Sequence, residues 1–213
     1  MSTRNSLSTV GRLVGAAACV ISLASCGGDM LRTGRAPMVL VVTSMSASAG
    51  GSSGGGGQAF LLSDVLVLVD QTVGGVTVKV PTIFNDSATA TIQSVAKNAA
   101  ATTTEINGIT LTRYHVDFRR TDGRNTPGVD VPFGFDGGLG VSIAPNTSAS
   151  VAFEIVRHQS KLEPPLKNLV QGGGLGFIST IAEITFYGHD QNGNEVTVTG
   201  RIDVQFGDFG DDK

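Results

Sequence analysis

From residue 60 onward the apolar residues of this chain recur at every second position, the repeat of a strand with one buried and one wetted face. In the clearest stretch Val196, Val198, Gly200, Ile202, Val204 and Phe206 fall on one side, with Thr197, Thr199, Arg201, Asp203 and Gln205 on the other. Val76, Val78 and Val80 repeat the pattern, as do Leu139, Val141 and Ile143, and Val151, Phe153 and Ile155. In Ile109–Phe118 the apolar set is Ile109 and Leu111, then Tyr114, Val116 and Phe118, so the phase slips by one near Thr112, as a β-bulge makes it do. Val129, Val131, Phe133 and Phe135 also alternate, but Pro132 cannot donate to a ladder, which places that strand at an edge.

Turn dipeptides separate these runs: Asn107-Gly108, Asp122-Gly123, Pro127-Gly128, Pro145-Asn146 and Asn192-Gly193. The last predicts a hairpin of Ile178–Tyr187 with Glu195–Phe206. Helical periodicity is confined to Leu162–Val170, where Pro164-Pro165 keeps any turn short. The expected fold is all-β: an antiparallel, immunoglobulin-like Greek-key sandwich of about seven to nine strands over residues 60–207. An acidic tail, 208–213, follows it. Two cysteines among 213 residues cannot build a disulfide scaffold, so the core rests on packing.

The N-terminus has a different grammar. Arg4 and Arg12 precede the apolar run Leu13–Ala24, which is shorter than the roughly 20 residues a bilayer-spanning helix needs. That is the pattern of an export signal over residues 1–25. From Cys26 to about residue 59 the chain is rich in Gly, Ser, Ala and Thr, ending in Gly50-Gly51-Ser52-Ser53-Gly54-Gly55-Gly56-Gly57. Such a composition reads as a disordered tether with a root-mean-square reach of roughly 30 Å. Met38-Val39-Leu40-Val41-Val42 interrupts it as a possible stray strand. No Lys-Ser or Lys-Thr follows the glycines, which argues against a nucleotide-binding loop.

The string Leu23-Ala24-Ser25-Cys26 resembles the lipobox of bacterial lipoproteins. The resemblance implies removal of residues 1–25, a diacylglycerol thioether on Cys26 and acylation of the new amino terminus, palmitate being the expected acyl group. Two or more such chains hold a protein stably at a membrane. Gly27 stands where aspartate would retain a Gram-negative lipoprotein at the inner membrane, so the resemblance implies the outer membrane. Three further strings, Pro81–Asp86, Tyr114–Phe133 and Phe186–Val196, are similar to an uncharacterised group of exported bacterial lipoproteins and cover nearly all of residues 60–210. That resemblance implies one exported domain and brings no activity.

Charge narrows the partners. The full chain has 15 basic and 18 acidic residues, and loss of Arg4 and Arg12 leaves 13 against 18, a net charge of −5. Such a chain lacks the basic surface that nucleic acid requires, and the acyl chains, rather than attraction to anionic lipid, would hold it at the membrane.

The residues offer little for catalysis. His115, His158 and His189 fall on separate elements without ligand spacing. Asp190, Asn192 and Asn194, with Glu195, present the hard oxygens that Ca²⁺ favours, but the glycine is fourth where a calcium loop needs it sixth. A hairpin turn explains the same letters. Asp208-Phe209-Gly210 has no kinase companions, and Ser94-Val95-Ala96-Lys97 lacks the helix and partner motifs of Ser-x-x-Lys enzymes. Ser142 lacks the second glycine of a nucleophile elbow, and Gly172-Gly173-Gly174-Leu175-Gly176 precedes a strand and not the helix of a dinucleotide site. Trp is absent, and only Tyr114 and Tyr187 offer phenolic platforms for a sugar, Tyr187 on the wetted side of its strand.

The expectation is a non-enzymatic, lipid-anchored envelope protein with a structural or interaction role, bound to the membrane through Cys26 and to an envelope protein, with no cofactor, metal or nucleotide. The alternative is a calcium- or carbohydrate-binding module. Recognition is expected in the loops Thr121–Pro127, Leu162–Gly176 and Gly188–Asn194.

Overall fold

The computed structural model describes residues 34–51, 57–171 and 176–209. Among the described residues there are ten strands: β1 (Met38–Ser48), β2 (Phe60–Asp64), β3 (Val67–Val73), β4 (Val76–Thr82), β5 (Asp86–Ala96), β6 (Ile109–Arg119), β7 (Phe135–Ile143), β8 (Ser148–Val156), β9 (Ile178–Asp190) and β10 (Glu195–Gly207). Two short helices, α1 (His158–Leu162) and α2 (Lys167–Gln171), lie between β8 and β9, separated by Pro164-Pro165.

Eight strands make the sandwich. One sheet has the order β1-β5-β8 and the other β2-β10-β9-β6-β7; β3 and β4 pair only with each other. Every pairing is antiparallel except β2 with β10. The chain thus pairs first with β5 through β1, then crosses to the opposite sheet through β2. This is the immunoglobulin-like arrangement that the alternating pattern predicts.

The predicted hairpin is present, with Val198 opposite Phe186 and Phe206 opposite Ile178. The phase slip is also present, as a register shift between Leu111 and Arg113 against both neighbouring strands. The bulge restores the inward phase, so Ile109, Leu111, Tyr114, Val116 and Phe118 are all buried. Aromatic rings join the sheets: Tyr114 of β6 and Phe186 of β9 meet Phe153 of β8 at centroid distances of 5.2 and 5.3 Å. Phe118 packs edge-on against Phe206 at 5.4 Å. Burial pushes the Tyr114 hydroxyl above its ordinary pKa, and the Glu154 amide donates to it at 3.3 Å.

Two readings need correction. Residues 38–48 lie within the expected tether, yet β1 pairs with β5 from Met38 opposite Ala96 to Ser48 opposite Ser87. Ala36, Met38 and Leu40 are core residues, so the sandwich begins well before residue 60. Residues 129–134, read as the start of an edge strand, form a loop instead. The Thr126 carbonyl accepts the amides of Val129 and Asp130 at 3.1 and 2.8 Å, which curls the backbone away from a ladder. β7 begins only at Phe135, still at the sheet edge.

Gly188 shows why one position in a long strand carries no side chain. A Cβ there would lie 2.4 Å from the Thr110 carbonyl oxygen, beside the bulge, where backbone cannot yield cheaply. Gly188→Ala is expected to destabilise the fold by about 1–3 kcal/mol, the usual cost of overpacking, read as a lower urea midpoint with an unchanged slope. An unchanged midpoint would contradict that packing.

Candidate interaction surface

The strand registers define two poles. The chain enters at the pole where β1 begins, together with the connectors 97–108, 144–147 and 191–194. At the far pole lie the connectors 65–85, 120–134 and 157–177. They join the ends of β2, β6 and β8 to the starts of β5, β7 and β9.

The exposed apolar residues follow this polarity. Val73, Val76, Val78, Val129, Phe133, Leu162 and Phe177 all sit on far-pole connectors, and the most exposed, Val129, Phe177 and Val73, reach 67%, 66% and 65%. On the entry-pole connectors the counterpart is Ile106; Val39, Val41, Phe60 and Leu62 lie along strands.

The β3–β4 hairpin is the most prominent of these features. Gly74 and Gly75 both have positive φ, the requirement of a two-residue type I′ turn. The register pairs Val69 with Val80, Gln71 with Val78 and Val73 with Val76, so these side chains share one face. Asp70–Lys79 and Thr72–Thr77 occupy the other. The tip is therefore amphipathic, with its valine side open to solvent.

The 120–134 loop is held by its own polar groups. Arg120 N donates to Asn125 Oδ1 at 2.6 Å, and Thr126 N to Asp130 Oδ2 at 3.2 Å. Arg120 and Arg124 both bond Asp122, and hold its carboxyl well below the usual carboxylate range. The Phe133 ring lies over Gly128, whose positive φ and missing Cβ make room for it.

Beneath the far pole is a buried ion pair. Lys161, on α1, and Asp86, at the start of β5, are 1% and 0% exposed, with Nζ and Oδ1 2.9 Å apart. Lys161 Nζ also donates to the Asp64 carbonyl at 2.7 Å. Asp86 Oδ1 accepts the Gly50 amide at 2.8 Å, and Oδ2 accepts the Ser63 hydroxyl at 2.6 Å. Next to this pair, His158 N donates to Asn85 Oδ1 at 2.8 Å and Phe209 N to Asp64 Oδ1 at 3.1 Å. The end of β1, β2, β5, α1 and the chain after β10 thus meet at one polar knot. Burial pushes the Asp86 carboxyl above its ordinary pKa, opposed by the Lys161 charge and by the Gly50 and Ser63 hydrogen bonds.

The residues singled out in the sequence are dispersed. Cys26 and residues 1–25 lie outside the described residues, as do 172–175 and 210–213. Asp190 builds the β9–β10 turn: Oδ1 accepts the Asn192 and Asn194 amides at 2.9 and 2.8 Å, and Oδ2 accepts Asn194 Nδ2 at 2.8 Å. Gly193 supplies the positive φ. The turn itself therefore engages both carboxylate oxygens of Asp190. Among the described residues no three His, Cys, Asp or Glu side chains cluster as a metal site.

His115 lies on the outer face between Asp117 and Asp136, at 3.4 and 3.2 Å; His158 opens α1, and His189 contacts the Asp190 carbonyl at 3.0 Å. Ser94 points into the core from β5, and Lys97 instead reaches the Gly34 carbonyl. Ser142 pairs with the Thr110 hydroxyl at 3.2 Å. Tyr187 faces outward as expected, but the Arg113 guanidinium covers its ring at 3.6 Å. Beside it Thr112, His189, Glu195 and Thr197 line a hollow of about 210 Å³. A second, of about 190 Å³, lies between β6 and the 120–134 loop. Both are smaller than the roughly 300 Å³ at which ligand pockets begin. Of the three expected recognition loops, Thr121–Pro127 and the described part of Leu162–Gly176 share the far pole, and Gly188–Asn194 is at the entry pole.

No protein-family model and no curated protein matches this chain.

Removing the ammonium of the ion pair strands a buried carboxylate. Lys161→Met is expected to destabilise the fold by about 3–5 kcal/mol at pH 7. The Asp86 pKa, freed of the charge that lowers it, rises further in the folded state. The variant's stability is therefore greatest below the unfolded-state value near 3.8 and falls as pH rises through the raised folded value. Urea unfolding across pH checks both the loss and its sign; a variant as stable as the parent at pH 7 would contradict the role given to the pair.

Proposed function

We propose that this chain is a lipid-anchored cell-envelope protein with a non-enzymatic interaction role, which presents the far pole of its sandwich to an envelope protein. The observation that carries the reading is polarity: the chain enters at one pole, and the exposed apolar side chains gather on the connectors of the other. Large exposed apolar groups on a folded surface mark interaction sites.

The anchor reading rests on Leu23-Ala24-Ser25-Cys26. With Cys26 lipidated, the ten positions to the buried Ala36 span at most about 35 Å, so the tether is shorter than the composition of residues 26–59 suggests. The entry pole would then face the membrane, in the outer membrane if the source is Gram-negative, and the far pole would point away from it. Sandwich connectors are the usual bearers of recognition.

Anchor and surface are separable by experiment. Cys26→Ser is expected to move the protein out of the membrane fraction and to abolish incorporation of labelled palmitate; retention of both would overturn the anchor. With Cys26 intact, combining Val76→Lys with Val129→Ser should leave stability within about 0.5 kcal/mol, as for exposed sites, while removing cross-links formed in native envelopes from a photoreactive group placed at the far pole. Unchanged cross-links would contradict the proposed surface.

A further inference from the structure

We propose that Lys161 and Asp86 form a covalent side-chain amide, a cross-link that closes a 75-residue stretch of the chain. The inference stands on the buried pair alone and is independent of the far pole's role in binding.

Four observations carry it. Amine and carboxyl are held in direct contact by the fold, Nζ lying 2.9 Å from Oδ1, which makes their encounter intramolecular. Both side chains are at most 1% exposed, so competing water is excluded. Burial raises the Asp86 carboxyl above its ordinary pKa and so favours its neutral acid, the form that an amine can attack. Finally, each carboxyl oxygen already accepts a fixed donor, Gly50 N–H at Oδ1 and Ser63 O–H at Oδ2. Fixed donors of this kind stabilise charge that develops on oxygen.

The step balances without any further reactant. A proton passes from the Lys161 ammonium to Asp86 Oδ1 along their hydrogen bond, which leaves a neutral amine and a carboxylic acid. The Nζ lone pair attacks Cγ and forms the C–N bond, while negative charge collects on Oδ2, against the Ser63 hydroxyl. A second proton moves from Nζ to Oδ1, the Cγ–Oδ1 bond breaks, and Oδ1 departs as water. Ammonium and carboxylate become one amide and one water molecule, with no change of oxidation state. The ion pair described above is the reactant of this step.

The test is peptide mapping of the folded full chain. Trypsin should fail to cut after Lys161, and mass spectrometry should find a branched species that joins Val80–Lys97 to His158–Lys167, lighter than their sum by one water. Lys161→Arg keeps a cation for Asp86 but cannot form this amide, and should abolish the species, as should Asp86→Ala. The branched species should also be absent from chain kept in urea from synthesis onward, because the fold creates the proximity. Complete cleavage after Lys161, with both peptides recovered separately after prolonged incubation of the folded protein, would overturn the proposal; so would equal cross-linking in the unfolded chain.

Discussion

The far pole of this molecule depends on one buried ion pair. Lys161 sits on a five-residue helix, too short to hold itself, and α1 is docked where its ammonium meets Asp86 and the Asp64 carbonyl. The same carboxylate takes Gly50 N–H and Ser63 O–H, so the turn out of β1, the end of β2 and the start of β5 are bound to one group. Isolating a charge from water is costly, and the arrangement holds only because each charged atom has a partner. Such a knot fixes the roots of the 65–85 and 157–177 connectors while their apolar tips stay outside.

The rest of the domain is built differently. Its centre is apolar and aromatic, with Phe153 between Tyr114 and Phe186 and with Phe118 against Phe206, and the Glu154 amide on the Tyr114 hydroxyl adds an uncharged hydrogen bond between the sheets. This division lets the connectors carry exposed Val and Phe without disturbing the core. The valine face of β3–β4 and the ordered 120–134 loop are therefore features of a scaffold whose stability lies elsewhere, as expected of a surface kept for a partner.

Much of this fold was legible in the sequence. Strict alternation located β10, the Asn192-Gly193 turn paired it with β9, and the slip at Thr112 located the bulge, because a one-residue shift turns every side chain to the other face. β1 was harder to read: its first five residues are apolar, but glycine- and serine-rich sequence surrounds it, and its partner β5 lies far along the chain. Val129 and Phe133 alternate like strand residues, yet the Thr126 carbonyl had already committed the local amides to a turn. Exposure was not legible either. Val76 and Val78 repeat with the same period as Val151 and Phe153, and only the tertiary arrangement leaves the first pair in water and the second in the core. Lys161 and Asp86 carry no local signal; neither lies in a motif, and what makes them a pair is the fold that brings them together.

Native-state hydrogen exchange in Lys161→Met tests most directly whether the buried pair organises the far pole. The amides of Gly50, Val65, His158 and Phe209, each bonded in or beside the knot, should lose protection at pH 7 in excess of the global change, while those in the β9–β10 hairpin should follow global stability alone. If the far-pole amides instead keep their protection relative to β9 and β10, the pair does not organise that pole and the account is wrong.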